Sequence, residues 1–414
     1  MTSSSSEDVK NPDVTPVWAR DGVFPSKSSG ADFGFIDSKG GEQSASSAEE
    51  LAEKIDGSRA GIHLVWTPES DQLVVPESVP ALHKVLRRRQ GKFADHDASD
   101  GKRMSLVFGL AVLWTGYKVW ENHGKSWHAI YSSQLTGLAA LLLLIFGLLP
   151  LYESWKTRRR LAGSKPADMA KEIPEAQFDA WLESCKVPVT YGLLVCLGLV
   201  GLVQLCIDGW SSTGVKSSIL QAGLLKLQAL NHPELADGAA RWRIFTAPLL
   251  HGNIIHLAMN ASGILYLGRR TESLARWPHL VIVFVISAWI GGVASFYWIP
   301  DKIAVGASGG LLGLLGFMLV FEKMHPRLVP KPAQRRLLAG VLLMVVIGFL
   351  GMSFIDNAAH AGGLLAGMAY AGIVFPKSAS FHRPQTITKD KIVGGLMVIA
   401  VLGATFWAIY QLMD

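Results

Sequence analysis

The chain has 414 residues, half of them hydrophobic and 17% charged. Its apolar residues gather into long uninterrupted runs, which a bilayer span of about 20 residues requires and a soluble core does not. The formal net charge of +6 does not indicate nucleic acid, because Lys and Arg sit in short clusters beside the apolar runs, the pattern of membrane anchoring and orientation.

From the N-terminus, Met1 to Asp8 has no basic region followed by an early apolar stretch, so no cleavable signal peptide is expected. Residues 1–45 are rich in Ser, Gly, Asp and Pro and are expected to stay disordered. Residues 46–103 read as a small cytosolic module, with a helix over Ser47–Ile55, a strand over Gly61–Trp66 and a helix over Ser78–Arg89 that has a basic end. Residues 104–153 hold two extra transmembrane or membrane-associated helices, at Ser105–Trp120 and Ile130–Tyr152. The first is short and amphipathic, with Lys118 near its end, and is expected to be re-entrant or tilted. A charged cytosolic linker, 154–186, contains Arg158, Arg159 and Arg160 and a surface helix over Pro174–Cys185 with Trp181 at the interface. Cys185, Cys196 and Cys206 fall in or beside one apolar run without metal-ligand spacing, and read as small packing residues.

Further spans are predicted at 187–207, 252–268, 278–299, 306–322, 337–354, 357–375 and 392–412. Their connectors alternate in charge. Gly268–Trp277 carries Arg269, Arg270 and Arg276; Glu322–Arg336 carries Lys323, Arg327, Lys331, Arg335 and Arg336; Pro376–Lys391 carries Lys377, Arg383, Lys389 and Lys391. Pro300–Val305 and Ile355–Asn357 carry only Lys302. The first set is therefore expected inside and the second outside, with the N-terminus cytoplasmic and Asp414 external.

Three segments place polar side chains where a bilayer makes them expensive. In Gly306-Ala307-Ser308-Gly309-Gly310, at the external start of a span, the serine reads either as a helix cap among small packing residues or as a nucleophile at the positive end of a helix. The string also matches G-x-S-x-G, but the flanking spans exclude the parallel sheet that a soluble hydrolase elbow needs. In Asn357 to Gly367, His360 reads either as a histidine satisfied by a neighbouring carbonyl or as a general base. Gly363 and Gly367 form one small-residue face, and Gly309 and Gly313 form another on the serine span. Two such faces bring helix backbones close enough for serine and histidine to meet. In His251-Gly252-Asn253-Ile254-Ile255-His256-Leu257-Ala258-Met259-Asn260, His256 and Asn260 are four apart and share a helix face. They are either mutually satisfied buried polar groups or donors to an oxyanion. His251 and His256 lack the spacing and the glutamate of a zinc protease.

Taken together, these residues resemble the rhomboid family of intramembrane serine proteases over about 187–412. The carrying motifs are Gly306-Ala307-Ser308-Gly309, Ala359-His360 followed by Gly363 and Gly367, the His251/His256/Asn260 pattern, and Trp242-Arg243 in a long first loop. The resemblance implies an all-α, polytopic membrane protein with a six-helix catalytic core at 187–375 and a linker and seventh helix at 376–414. It implies Ser308 as nucleophile and His360 as general base. His256, Asn260 and the Ser308 amide would form an oxyanion hole supported by His251. Loop 208–246, with Trp242 and Arg243, would lie partly in the outer leaflet, and 337–354 would be a lateral gate. Many members carry an aromatic residue four positions after the serine; this chain has Leu312. The expected partners are transmembrane protein substrates and the lipid bilayer, with no nucleic acid, and no cofactor, metal or disulfide is expected. The expected setting is a bacterial inner membrane. The alternative reading is a catalytically silent relative that binds client helices.

Overall fold

The computed structural model describes residues 14–27, 30–70, 72–123, 125–208, 242–298, 304–351 and 355–413. The chain divides into two compact units, one of Met1–Ser184 with Leu342–Ile355, the other of Cys185–Val341 with Asp356–Asp414.

In the first unit, alternation along β1 (Phe33–Asp37) turns Phe35 inward, where it is fully buried. β1 pairs antiparallel with β2 (Glu42–Ala45) on one side and with a third strand, β3 (Ile62–Trp66), on the other. Between β2 and β3 runs α1 (Ala48–Gly57), capped by Ser47, whose hydroxyl accepts from the Glu50 amide at 3.2 Å. Leu51 and Ile55 of α1 pack on Phe35 and Val65, together with Leu82, Val85, Leu86 and Met169. The expected disorder therefore ends before residue 33. The pairing that orders this stretch comes from β3, distant in sequence, and local composition does not reveal it; residues 1–13 lie outside the described set.

The helix expected over Ser78–Arg89 starts later, at His83, because Pro76 and Pro80 each begin a separate short turn. It then continues as α2 (His83–Asn122), so the predicted 105–120 segment is the far half of one 40-residue helix. A short α3 (Trp127–Ser132) leads into α4 (Gln134–Ala162), which contains a π turn at Leu143–Leu148. α2 and α4 cross closely: a Cβ on Gly147 would fall 2.6 Å from Ser105 Oγ. Aromatic residues mark both ends of this hairpin, with Trp120 against Trp127 at 4.7 Å and Tyr152 beside Trp155 at 6.0 Å. The predicted surface helix forms as α5 (Ile173–Ser184), but Trp181 is not at an interface. It is buried against Phe178, which Trp18 covers edge-on at 6.0 Å.

The second unit begins with α6 (Pro188–Asp208). Its N-terminus is held by the buried carboxylate of Glu272, which accepts from the amides of Val189 and Thr190 at 3.1 and 2.8 Å. The chain reappears at Trp242; the rest of the long first loop, 209–241, lies outside the described residues. α7 (Ile254–Gly263) passes through a π turn at Ile264–Gly268 into α8 (Arg269–Ala275). Then come α9 (Trp277–Trp298), α10 (Ser308–Met324), α11 (Lys331–Leu350, assigned to the first unit from Leu342 on), α12 (Asn357–Val374) and α13 (Thr388–Met413). At the foot of α10, Arg270 and Glu322 form a buried bidentate pair at 2.6 and 3.0 Å, and Arg270 also donates to the Ala333 carbonyl in the first turn of α11.

Among the described residues, five helices are long and apolar enough to cross a membrane: α4, α6, α9, α11 and α13. The protein is a multi-pass, mostly helical membrane protein. α10, with 17 residues, and α12, with polar residues in its first turn, are not among the five. A helix that packs inside a bundle and carries a polar site, as α12 does, does not need lipid-facing hydropathy.

Candidate active site

α10 and α12 are packed backbone to backbone. A Cβ on Gly363 would stand 2.0 Å from the Gly309 carbonyl oxygen, and one on Gly367 would stand 1.8 Å from that of Gly313. No residue but glycine fits at such a crossing. α9 closes on the same pair, its Ser287 side chain filling the space in front of Gly313 and its Gly291 facing the Ala359 carbonyl.

The close approach sets the geometry at the top of the pair. Ser308 is the first residue of α10 and His360 lies in the first turn of α12, with His360 Nε2 2.8 Å from Ser308 Oγ. That is hydrogen-bond distance between a hydroxyl and an imidazole, as a nucleophile–base pair requires.

Gly306 turns the chain into α10 with φ at +115°, a conformation that L side chains rarely adopt. Its amide donates to the Ala247 carbonyl at 2.9 Å. A Cβ there would lie 2.7 Å from Cε1 of His256 and 3.5 Å from Nδ2 of Asn260. The two α7 side chains therefore converge on the turn immediately before the serine. Asn260 is buried, and its Nδ2 has no hydrogen-bond partner among the described residues. A buried N–H left unpaired costs free energy unless something accepts from it, so this group is poised for an incoming acceptor. His251 stands edge-on to His256 with ring centroids 5.1 Å apart.

Trp242 caps the short helical turn Arg243–Thr246. Trp242 packs edge-on against Trp407 of α13 at 5.9 Å, and Arg243 lies over the Trp242 ring at 5.3 Å. Leu312 is buried in α10.

Three supporting residues were not singled out in the sequence. Gln204 on α6 grips His251 by its backbone, accepting from the amide at 2.9 Å and donating to the carbonyl at 3.2 Å. Asn253 caps α7 by accepting from the His256 amide at 2.8 Å. Asp356 caps α12, accepting from the Ala359 amide at 3.0 Å, and also receives the Ser295 hydroxyl of α9. A glutamine inside an otherwise apolar span was a visible signal for the first. Asn and Asp just ahead of a helical run were visible as caps.

Fold and site define a multi-pass membrane protein with a serine–histidine pair on two glycine-packed helices. Residues 239–377 match the family model described as the Rhomboid domain. RHOMBOID-like protein 6, mitochondrial, of Arabidopsis thaliana is 34% identical over 168 residues, covering 40% of this chain and 53% of that protein. The Rhomboid protease GluP of Bacillus subtilis (strain 168) is 26% identical over 172 residues, 41% of this chain and 32% of the relative. Inactive rhomboid protein 2 of Homo sapiens is 31% identical over 147 residues, 35% of this chain and 17% of the relative. Over residues 239–377 these matches support a rhomboid-family protein. It aligns with about half the length of the first of these relatives and less of the others.

Proposed function

We propose that the protein is an intramembrane serine endopeptidase that cuts transmembrane substrates near the outer interface, with Ser308 as nucleophile and His360 as general base. The observation that carries the reading is the 2.8 Å contact between His360 Nε2 and Ser308 Oγ. A substrate helix enters laterally beside α11, the proposed gate, and unwinds to offer a carbonyl to Ser308. His360 takes the hydroxyl proton as the Ser308 oxygen bonds to the carbonyl carbon, leaving a tetrahedral oxyanion. Asn260, His256 and the Ser308 amide donate to that oxyanion, and His251 supports His256. The imidazolium then protonates the leaving amine, the amide bond breaks, and water hydrolyses the acyl-enzyme with His360 again as base. The unpartnered Asn260 Nδ2 beside Gly306 supports the oxyanion role.

The charge pattern of the connectors supports a cytoplasmic N-terminus and an external active site. The relatives come from a bacterium, plants and primates, one of them named mitochondrial, so the proposal concerns topology and not compartment.

A second reading, a silent rhomboid-like protein that binds client helices, draws on the relatives named inactive. The retained, hydrogen-bonded serine and histidine favour catalysis. Cleavage of a transmembrane substrate in proteoliposomes separates the two. Wild type is expected to cut and Ser308→Ala to be inert; equal cleavage by both would overturn the dyad, and no cleavage by either would favour the binding reading.

A further inference from the structure

The Ser308–His360 contact uses Nε2 of the imidazole, and a base of this kind works best when something fixes its ring and offsets the positive charge it acquires. The residue one helical turn before His360 is Asp356. Asp356 is the N-cap of α12, and its carbonyl accepts from the His360 amide at 3.1 Å, which puts the two residues one turn apart; helix side chains lean toward the N-terminus, so His360 leans toward Asp356. The carboxylate is itself fixed: one oxygen accepts from the Ala359 amide at 3.0 Å and the other receives the hydroxyl of Ser295, a fully buried residue on α9.

We propose that Asp356 is a positioning residue for His360, its anchored carboxylate stabilising the imidazolium that forms when the histidine takes the Ser308 proton. The inference rests on the dyad reading above and adds a charge to it. Asp356 keeps its own charge throughout; the proton moves only from Ser308 Oγ to His360 Nε2 and on to the leaving amine. Ser295 ties this charge to α9, which also packs behind Gly309 and Gly313, so the helix that braces the crossing also holds the carboxylate.

A helix cap alone would explain the Ala359 contact, and the test separates cap from charge. Asp356→Asn and Asp356→Ser both keep a cap-competent side chain without the charge. Their turnover of a transmembrane substrate in proteoliposomes is compared with wild type, Ser308→Ala and His360→Ala, and kcat and KM are read separately. A full charge about one helical turn from the imidazolium, partly screened by water, is worth roughly tenfold or more in rate. Both variants are expected to lose about tenfold or more in kcat, with KM and thermal midpoint close to wild type. Wild-type kcat in either folded variant, with Ser308→Ala inert, overturns the role of Asp356 and leaves the dyad standing. Residual turnover in Ser308→Ala would instead strike the dyad reading itself. If Asp356→Asn does not fold, Asp356→Ser decides. If neither folds, the residue is structural and the proposal fails.

Discussion

Gly363→Ala tests whether the glycine crossing sets the catalytic distance. The new methyl carbon would sit 2.0 Å from the Gly309 carbonyl oxygen, and ordinary contact begins about 1.4 Å further out, so α12 must move away from α10 by about that much or twist. Gly309 adjoins Ser308, and Gly363 follows His360 by less than one turn, so no flexible segment absorbs the displacement before it reaches the dyad. A 2.8 Å hydrogen bond lengthened by about 1 Å is no longer one. A misplacement of that size costs on the order of 100-fold in rate, and overpacking costs about 1–3 kcal/mol in stability. The assay is initial-rate cleavage of a transmembrane substrate in proteoliposomes, with thermal unfolding in detergent alongside. Gly372→Ala on the same helix is the control: no described residue lies within 4 Å of its added carbon, so both readouts should hold. Near wild-type turnover in a folded Gly363→Ala protein would refute the reasoning.

Other variants extend the account. Gly306→Ala places an L side chain at a φ of +115° and 2.7 Å from His256, and is expected to lower kcat at least tenfold through strain and a displaced ring; a wild-type rate would contradict this. Asn260→Ala removes one donor and is expected to cost about 100- to 1,000-fold in kcat with little change in KM, since the Ser308 amide remains; a pure KM effect would assign Asn260 to substrate binding instead. Arg270→Met strands the buried Glu322 carboxylate and should destabilise by about 3–5 kcal/mol, whereas Arg270→Met with Glu322→Leu should recover much of that. Thermal melts of the single and double variants check it.

The placement of the candidate site was more legible in the sequence than the architecture around it. Ser308, His360, Gly363 and Gly367 stand out because polar atoms and glycine repeats inside apolar runs are rare unless used. The meeting of the α10 and α12 backbones followed from those glycines alone. Phe33 to Ala45 was not legible, because strand order there depends on pairing with Ile62–Trp66, and short apolar alternation in a Ser/Gly-rich stretch resembles disorder. Trp181 was misplaced for a related reason: an amphipathic helix with a Trp reads as interfacial until Trp18, from a distant segment, covers its neighbour Phe178. The single helix over His83–Asn122 was hidden by its charged middle, which breaks the apolar run without breaking the helix.

The central claim is that His360 makes Ser308 nucleophilic. Labelling of the reconstituted full chain with a fluorophosphonate, followed by mass mapping of the adduct, measures that reactivity directly. One adduct on Ser308 is expected, absent from His360→Ala. An unmodified Ser308, or equal labelling with and without the histidine, would contradict the account.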